Sequence, residues 1–295
     1  MESGAMKNRI EERNRQLREK GFEKTLNYAC AINDIIQVKK KLENIKPTEL
    51  NKKASYFGTA LHIACDDNNI EIVKLLLTAG ADLEIKDVAS NTALAITIER
   101  GYEDLAHFLI DAGADIHTLG THRTTMIHLA CLRCSRQMIE YLISKGLDVN
   151  ALASDKRSAL IYTTNNGGNI EAARTLIENG ISSDHFSEAF KEACWRGNPD
   201  IAQLLLAHGA DKNVIMGKTG KKPETLFWIC NKGTYLDVIK KRYLSVIELL
   251  LANGFDFMSK YKFKGLMISY DGSPLDKAID SGFTEAVKLI EGYKS

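Results

Sequence analysis

The stretch TALHIACDDNNIEIVKLLLTAGADLE, residues 59–84, reads as two short helices folded back on each other. Thr59 is the kind of residue whose side chain satisfies free N–H groups at a helix start. Asn68 supplies a turn after the first apolar run, since asparagine tolerates the left-handed conformation. The second run, IEIVKLLLTAG, ends on Gly80, which suits the left-handed residue that closes a helix. A short polar turn, GADLE, follows.

The pattern recurs. Stepping 33 residues from Leu61 gives Leu94, then Ile127, then Leu160. Each stands two residues after a hydroxyl: Thr59, Thr92, Thr125 and Ser158. Glycine follows nineteen residues on at Gly80, Gly113 and Gly146, and twenty on at Gly180. With looser spacing, Phe190, Leu226 and Leu275 lead to Gly197, Gly233 and Gly282, and upstream Leu26 leads to Asn33. Eight units result. A fixed period of this size marks a stacked array, in which neighbours bury each other's apolar faces.

The bulk numbers agree with such an array. A net charge of +1 gives no overall pull toward nucleic acid or membrane. No apolar run is long enough to span a bilayer, and the polar N-terminus is not a signal peptide. Met1–Ala5 reads as a tag remnant with Met6 as the native start.

TALHIA, TMIHLA and SPLD resemble the Thr-Pro-Leu-His-x-Ala signature of ankyrin repeats, and LLLTAGADLE resembles the close of their second helix. The resemblance covers about residues 22–295. The signature proline survives only as Pro274, one unit has SALIYT in place of the signature, and another carries an insertion. The resemblance implies an all-α, elongated ankyrin-repeat solenoid of about eight stacked helix-turn-helix units, with short hairpin turns and capping end units. The units are expected at about 22–54, 55–88, 89–121, 122–154, 155–183, 184–215, 220–259 and 271–295, after a tag remnant and capping helix over 1–21.

Cys30, Cys65, Cys131, Cys194 and Cys230 each stand four residues after the apolar marker of their unit. The position suits a small buried hydrophobe, a role free cysteine fills well. Stacked helices lie about 8–10 Å apart, farther than the ~7 Å a disulfide spans between Cα atoms. His128, Cys131 and Cys134 form the cluster with ligand-like spacing. His62 and His128 fall on the signature histidine, whose role in the family is hydrogen bonding within the turn region. MGKTGKK, residues 216–222, hints at a phosphate loop but has Lys212 where the first glycine belongs. No Gly-x-Ser-x-Gly or His-Glu-x-x-His motif occurs, and a non-catalytic protein without cofactor or metal is expected.

In the family, the turn tips and the exposed side of each first helix meet the partner, and this defines the candidate contact residues. On the first helices they are Asp66, Asp67, Glu99, Arg100, Leu132, Arg133, Trp195 and Arg196, with Asn165-Asn166 and Asn231-Lys232 in the same register. On the turn tips they are Tyr56, His122, Arg123, Lys156 and Arg157. Trp and Arg are the side chains most often found as hot spots.

Residues 211–270 carry 11 Lys/Arg against 5 Asp/Glu, a net of +6, and hold two insertions. Residues 234–245 are expected to lengthen the link between two helices. In 257–272, Tyr261 and Phe263 alternate with lysines, as in a short strand or hairpin. The main expectation is a monomeric scaffold recognising a protein partner with an acidic segment through a concave groove. The alternative is nucleic-acid or anionic-membrane binding by the basic C-terminal third. The Lys-, Asn- and Ile-rich composition fits an AT-rich genome. Ankyrin arrays of intracellular bacteria are often secreted into host cells, so the expected place is cytoplasm, the host's if the chain is an effector.

Overall fold

The computed structural model describes residues 2–54, 57–120, 123–216, 224–232, 235–264 and 269–293, without the side chains of 2–5, 166, 224, 261–264, 269 and 270. The chain divides into two compact units, Met1–Lys156 and Arg157–Ser295. The first opens with α1 (Glu2–Glu19) and continues with the pair α2 (Leu26–Ala31) and α3 (Ile35–Leu42) and the short α4 (Pro47–Leu50). Three more pairs follow: α5 (Ala60–Asp66) with α6 (Ile70–Thr78), α7 (Ala93–Arg100) with α8 (Glu103–Asp111), and α9 (Met126–Arg133) with α10 (Arg136–Ser144). The second unit pairs α11 (Ala159–Tyr162) with α12 (Ile170–Glu178), α13 (Phe186–Arg196) with α14 (Pro199–Ala207), and α15 (Glu224–Cys230) with α16 (Asp237–Ala252). An antiparallel hairpin of β1 (Tyr261–Lys264) and β2 (Ser269–Gly272) precedes a last pair, α17 (Pro274–Asp280) and α18 (Thr284–Gly292). The fold is thus a mostly helical array of helix-turn-helix repeats, as the period implies, with one added hairpin.

Local chemistry sets these boundaries. The Thr59 N–H donates to His62 Nδ1 at 3.1 Å, and the Thr59 hydroxyl lies 2.8 Å from the same nitrogen. The other ring nitrogen, Nε2, reaches the Asn91 carbonyl at 3.1 Å, tying one repeat's cap to the next repeat's turn. Thr125 and His128 repeat the arrangement at 3.2 and 2.9 Å. After α6, Ala81 N donates to Leu76 O and Gly80 N to Leu77 O, with Gly80 at φ 88°. That is the glycine-closed helix end expected from LLLTAG.

Within each unit, a helix pair buries its apolar stripe against the neighbouring pair. Leu61, Ile63, Ile72 and Leu76 are fully buried in the first unit, and Phe190, Leu205, Phe227 and Ile247 in the second. The six cysteines are free and buried. Burial pushes every thiol upward, Cys30 and Cys134 to about 12.

The insertion at 234–245 does more than lengthen a link. Most of it is helical, so α16 has 16 residues where α6, α8, α10, α12 and α14 have 9 each. The seven extra residues add about two turns. They carry Arg242 and Tyr243 back toward α13.

Candidate partner-contact site

In the second unit, α13 ends on Trp195 and Arg196, and the chain reverses through Gly197 at φ 69°. Tyr243 packs on this glycine so closely that an added Cβ would lie 3.2 Å from its ring carbons. The Tyr243 hydroxyl donates to the Trp195 carbonyl at 3.0 Å. Arg242 Nε donates to the Gly197 carbonyl at 2.9 Å, and its Nη2 donates to the Arg196 carbonyl at 3.3 Å and to Asn198 Oδ1. Asn198 in turn donates through Nδ2 to the Thr164 carbonyl at 2.6 Å. The added turns of α16 are therefore pinned to the end of α13.

Two indoles stack here. The Trp195 and Trp228 rings lie 5.4 Å apart with a 20° tilt. The Arg196 guanidinium is 5.5 Å from the Trp195 ring centre, and its Nε bonds Glu192 at 2.7 Å. Arg157 is 4.0 Å from the same carboxylate. On Trp228, the ammonium of Lys232 sits 3.6 Å from the ring centre, with Tyr235 at 4.4 Å and Tyr243 at 5.0 Å. Lys232 is only 2 % exposed. Burial pushes its amine down to about 8. The three ring faces act the other way, since their negative quadrupoles favour the ammonium. Burial also raises the Tyr243 phenol. The Trp228 indole N–H leans toward that phenol but falls outside hydrogen-bond geometry. A cavity of about 260 Å³ opens here, lined by Thr164, Gly167, Trp195, Arg196, Trp228, Arg242 and Tyr243.

In the first unit Asp66, Asp67 and Arg100 are answered from within. Arg13 grips Asp67 through two bonds, of 2.8 and 2.6 Å, and is 5 % exposed. Arg9 bonds Asp66 at 3.0 Å, and Arg100 Nε bonds the same carboxylate at 2.9 Å. Asp66, Glu99 and Arg100 line one cavity of about 270 Å³ together with Arg13 and His62. Asp66 and Asp67 thus meet α1, and Arg100 is held by Asp66. Leu132 is half-buried and Arg133 exposed, its Cβ against Gly101.

A family profile described as ankyrin repeats in three copies matches residues 26–120 and 127–216, well over half of the chain. The chain belongs to the ankyrin-repeat family. A search of curated proteins finds no match. Ankyrin repeats generally mediate protein–protein contacts, and in this ankyrin chain the Trp195-Arg196 register position is where aromatic and cationic groups gather.

Of the remaining expected contacts, Arg123 and Lys156 are exposed and Arg157 half-buried beside Glu192. Tyr56 and His122 lie outside the described residues, as does nearly all of the glycine-lysine segment 216–222. Tyr261 and Phe263 fall on β1, paired with Gly272 and Tyr270. Among the described residues no group of three or more His, Cys, Asp or Glu side chains is placed to hold a metal. His128 serves as a helix cap and Cys134 donates to the Ile98 carbonyl at 3.3 Å. No described helix is long and apolar enough to cross a membrane.

Trp228, Arg242, Tyr243 and the caged Lys232 were not legible as a site. Lys232 stands in the register column, yet two of its three ring neighbours, Tyr235 and Tyr243, come from a segment outside the repeat frame. The usable signal is the local run of Trp, Lys, Tyr and Arg from 228 to 243, which a period of 33 does not interpret.

Proposed function

We propose that this ankyrin-repeat chain is a non-catalytic, monomeric scaffold that recognises a protein partner through the exposed side of its first helices, with the principal contact at Trp195 and Arg196. The observation that carries this reading is the convergence of Trp195, Arg196, Trp228, Arg242 and Tyr243 around one cavity. Trp, Tyr and Arg are the side chains that supply most binding energy at interfaces. The start of α16 adds exposed apolar surface, with Leu236 77 % and Val238 75 % exposed. The cationic lining favours an acidic segment on the partner. A preformed cluster also spares the cost of ordering side chains on binding. Six buried free thiols suit a reducing compartment, such as a cytoplasm, the host's if the chain is a secreted effector.

The test is affinity capture from cell lysate by wild type and by a Trp195→Ala, Arg196→Glu variant of equal thermal stability. Proteins retained by the first and lost by the second should carry acidic segments. Equal retention by both would remove the site from this role. Capture of nucleic acid instead, with affinity falling steeply as salt rises, would favour the basic C-terminal third.

A further inference from the structure

We infer that the Trp195–Arg242 cavity is a phosphoryl site that takes a phosphorylated side chain of the protein partner; the inference rests on the reading of this cavity as the contact site. Its basis is a surplus of directed donors. Arg196 uses only Nε, on Glu192, so its two terminal nitrogens donate to nothing among the described residues. Arg242 uses Nε and Nη2, which leaves Nη1. Three free terminal nitrogens make six N–H groups at one cavity. A carboxylate offers about four lone-pair sites, and a phosphoryl group with three terminal oxygens offers more.

The charge balance points the same way. Arg196, Lys232 and Arg242 bring three cations to the cluster, and the carboxylate paired with them is that of Glu192, held by Arg196 Nε. The cavity lining itself contains no carboxylate among the described residues. A surplus near +2 is met better by a dianion than by one carboxylate. The arginines are also fixed in place before binding. Arg242 is held by three backbone and side-chain acceptors, and Arg196 rests on Trp195 and Glu192. A volume of about 260 Å³ exceeds a free phosphate and leaves room for the side chain that bears it.

Both tryptophans of the chain lie at this site, so intrinsic fluorescence reports on it directly. The probes are short peptides carrying one phosphoserine, phosphothreonine or phosphotyrosine, with their unphosphorylated parents, a glutamate version, inorganic phosphate and adenosine monophosphate. At least one phosphopeptide should perturb tryptophan emission saturably and bind at least tenfold tighter than the glutamate peptide. Its affinity should rise between about pH 5.5 and 7.5, as the phosphoryl group takes its second charge near pH 6. Arg196→Gln should weaken it at least tenfold with the thermal midpoint unchanged, and calorimetry should give the same ordering. Glutamate binding as tightly as phosphate would overturn the inference while leaving an acidic partner in place. Tightest binding by inorganic phosphate or the nucleotide would overturn it in favour of a free small anion. No saturable response to any probe would overturn it and the acidic-segment reading together.

Discussion

Asp66-Asp67 and Trp195-Arg196 hold the same register in two different units, and the structure treats them in opposite ways. In the first unit the acidic pair is answered from within. Arg13 and Arg9 descend from α1, and Arg100 reaches across from the next helix pair. In the second unit the position is aromatic and cationic, and donors outnumber acceptors. Register therefore tells where a side chain points, and the segments packed around it decide what is left to offer. A repeat position becomes a binding position only where the chain's own charges leave it unanswered.

The contrast is broken or sharpened most strongly at Arg13. Its guanidinium is buried against a nearly buried Asp67 carboxylate. Arg13→Ala leaves that carboxylate without its partner, at a cost of about 3 kcal/mol. Chemical denaturation should show it, and hydrogen exchange over 6–19 should rise as α1 loosens. Adding Asp67→Asn should recover part of the loss. Arg196→Ala, at a half-exposed pair with Glu192, should cost under about 1 kcal/mol. Equal costs at the two positions would erase the distinction between an occupied register and an open one.

Lys232 probes the second unit's side of the comparison. Removing the stem from among three rings opens a cavity, so Lys232→Ala should cost about 2 kcal/mol. Lys232→Met keeps the stem and removes a charge that burial penalises, and should stay within about 1 kcal/mol of wild type. If methionine is as damaging as alanine, the ammonium itself holds the cluster together. Denaturant midpoints of the three proteins decide it.

The third expectation separates the units by pH. Burial lowers the pKa of His62, whose neutral ring accepts from the Thr59 N–H. A base whose folded pKa is depressed leaves the unfolded state to take the proton first. Stability is therefore complete above the unfolded value of about 6.5 and falls as pH drops below it, by at most about 1.4 kcal/mol per unit. His62→Gln should flatten that decline in thermal midpoint between pH 7 and 5. In the second unit α11 and α17 begin instead at Ser158 and Ser273, the latter boxed with Asp276. An unchanged slope in the variant would place the acid sensitivity elsewhere.

These particulars also show what the sequence could carry. The period of 33 located the caps, the closing glycines and the cysteine column, because each depends on residues a few positions apart in one repeat. The place of Trp195 and Arg196 at the end of a first helix was legible for the same reason. The engagement of Asp66 and Asp67 was not, because it depends on how α1 returns over α5, more than fifty residues away in the chain. Tyr243 and Arg242 were hidden in an insertion that breaks the frame, and their role follows from two extra helical turns. Local periodicity has no access to either kind of contact.

The smallest expected effect is at Arg100, where the two halves of the comparison meet. Its Nε holds Asp66 at 2.9 Å, but the side chain is exposed and Asp66 keeps Arg9, with Arg13 at 3.7 Å. Arg100→Ala therefore leaves no carboxylate unanswered, and should cost about 0.5 kcal/mol at low salt and nothing measurable near ~0.5 M, where screening acts within a few ångströms. α1 should remain docked, in contrast to Arg13→Ala. The same reasoning applies to binding. A guanidinium already held by its neighbour has less to give an incoming acidic segment than one with free terminal nitrogens. Arg100→Glu should slow partner association less than twofold, where Arg196→Glu slows it about tenfold at low salt. Stopped-flow association rates for the two variants measure this directly, and the reverse ordering would move the contact into the first unit.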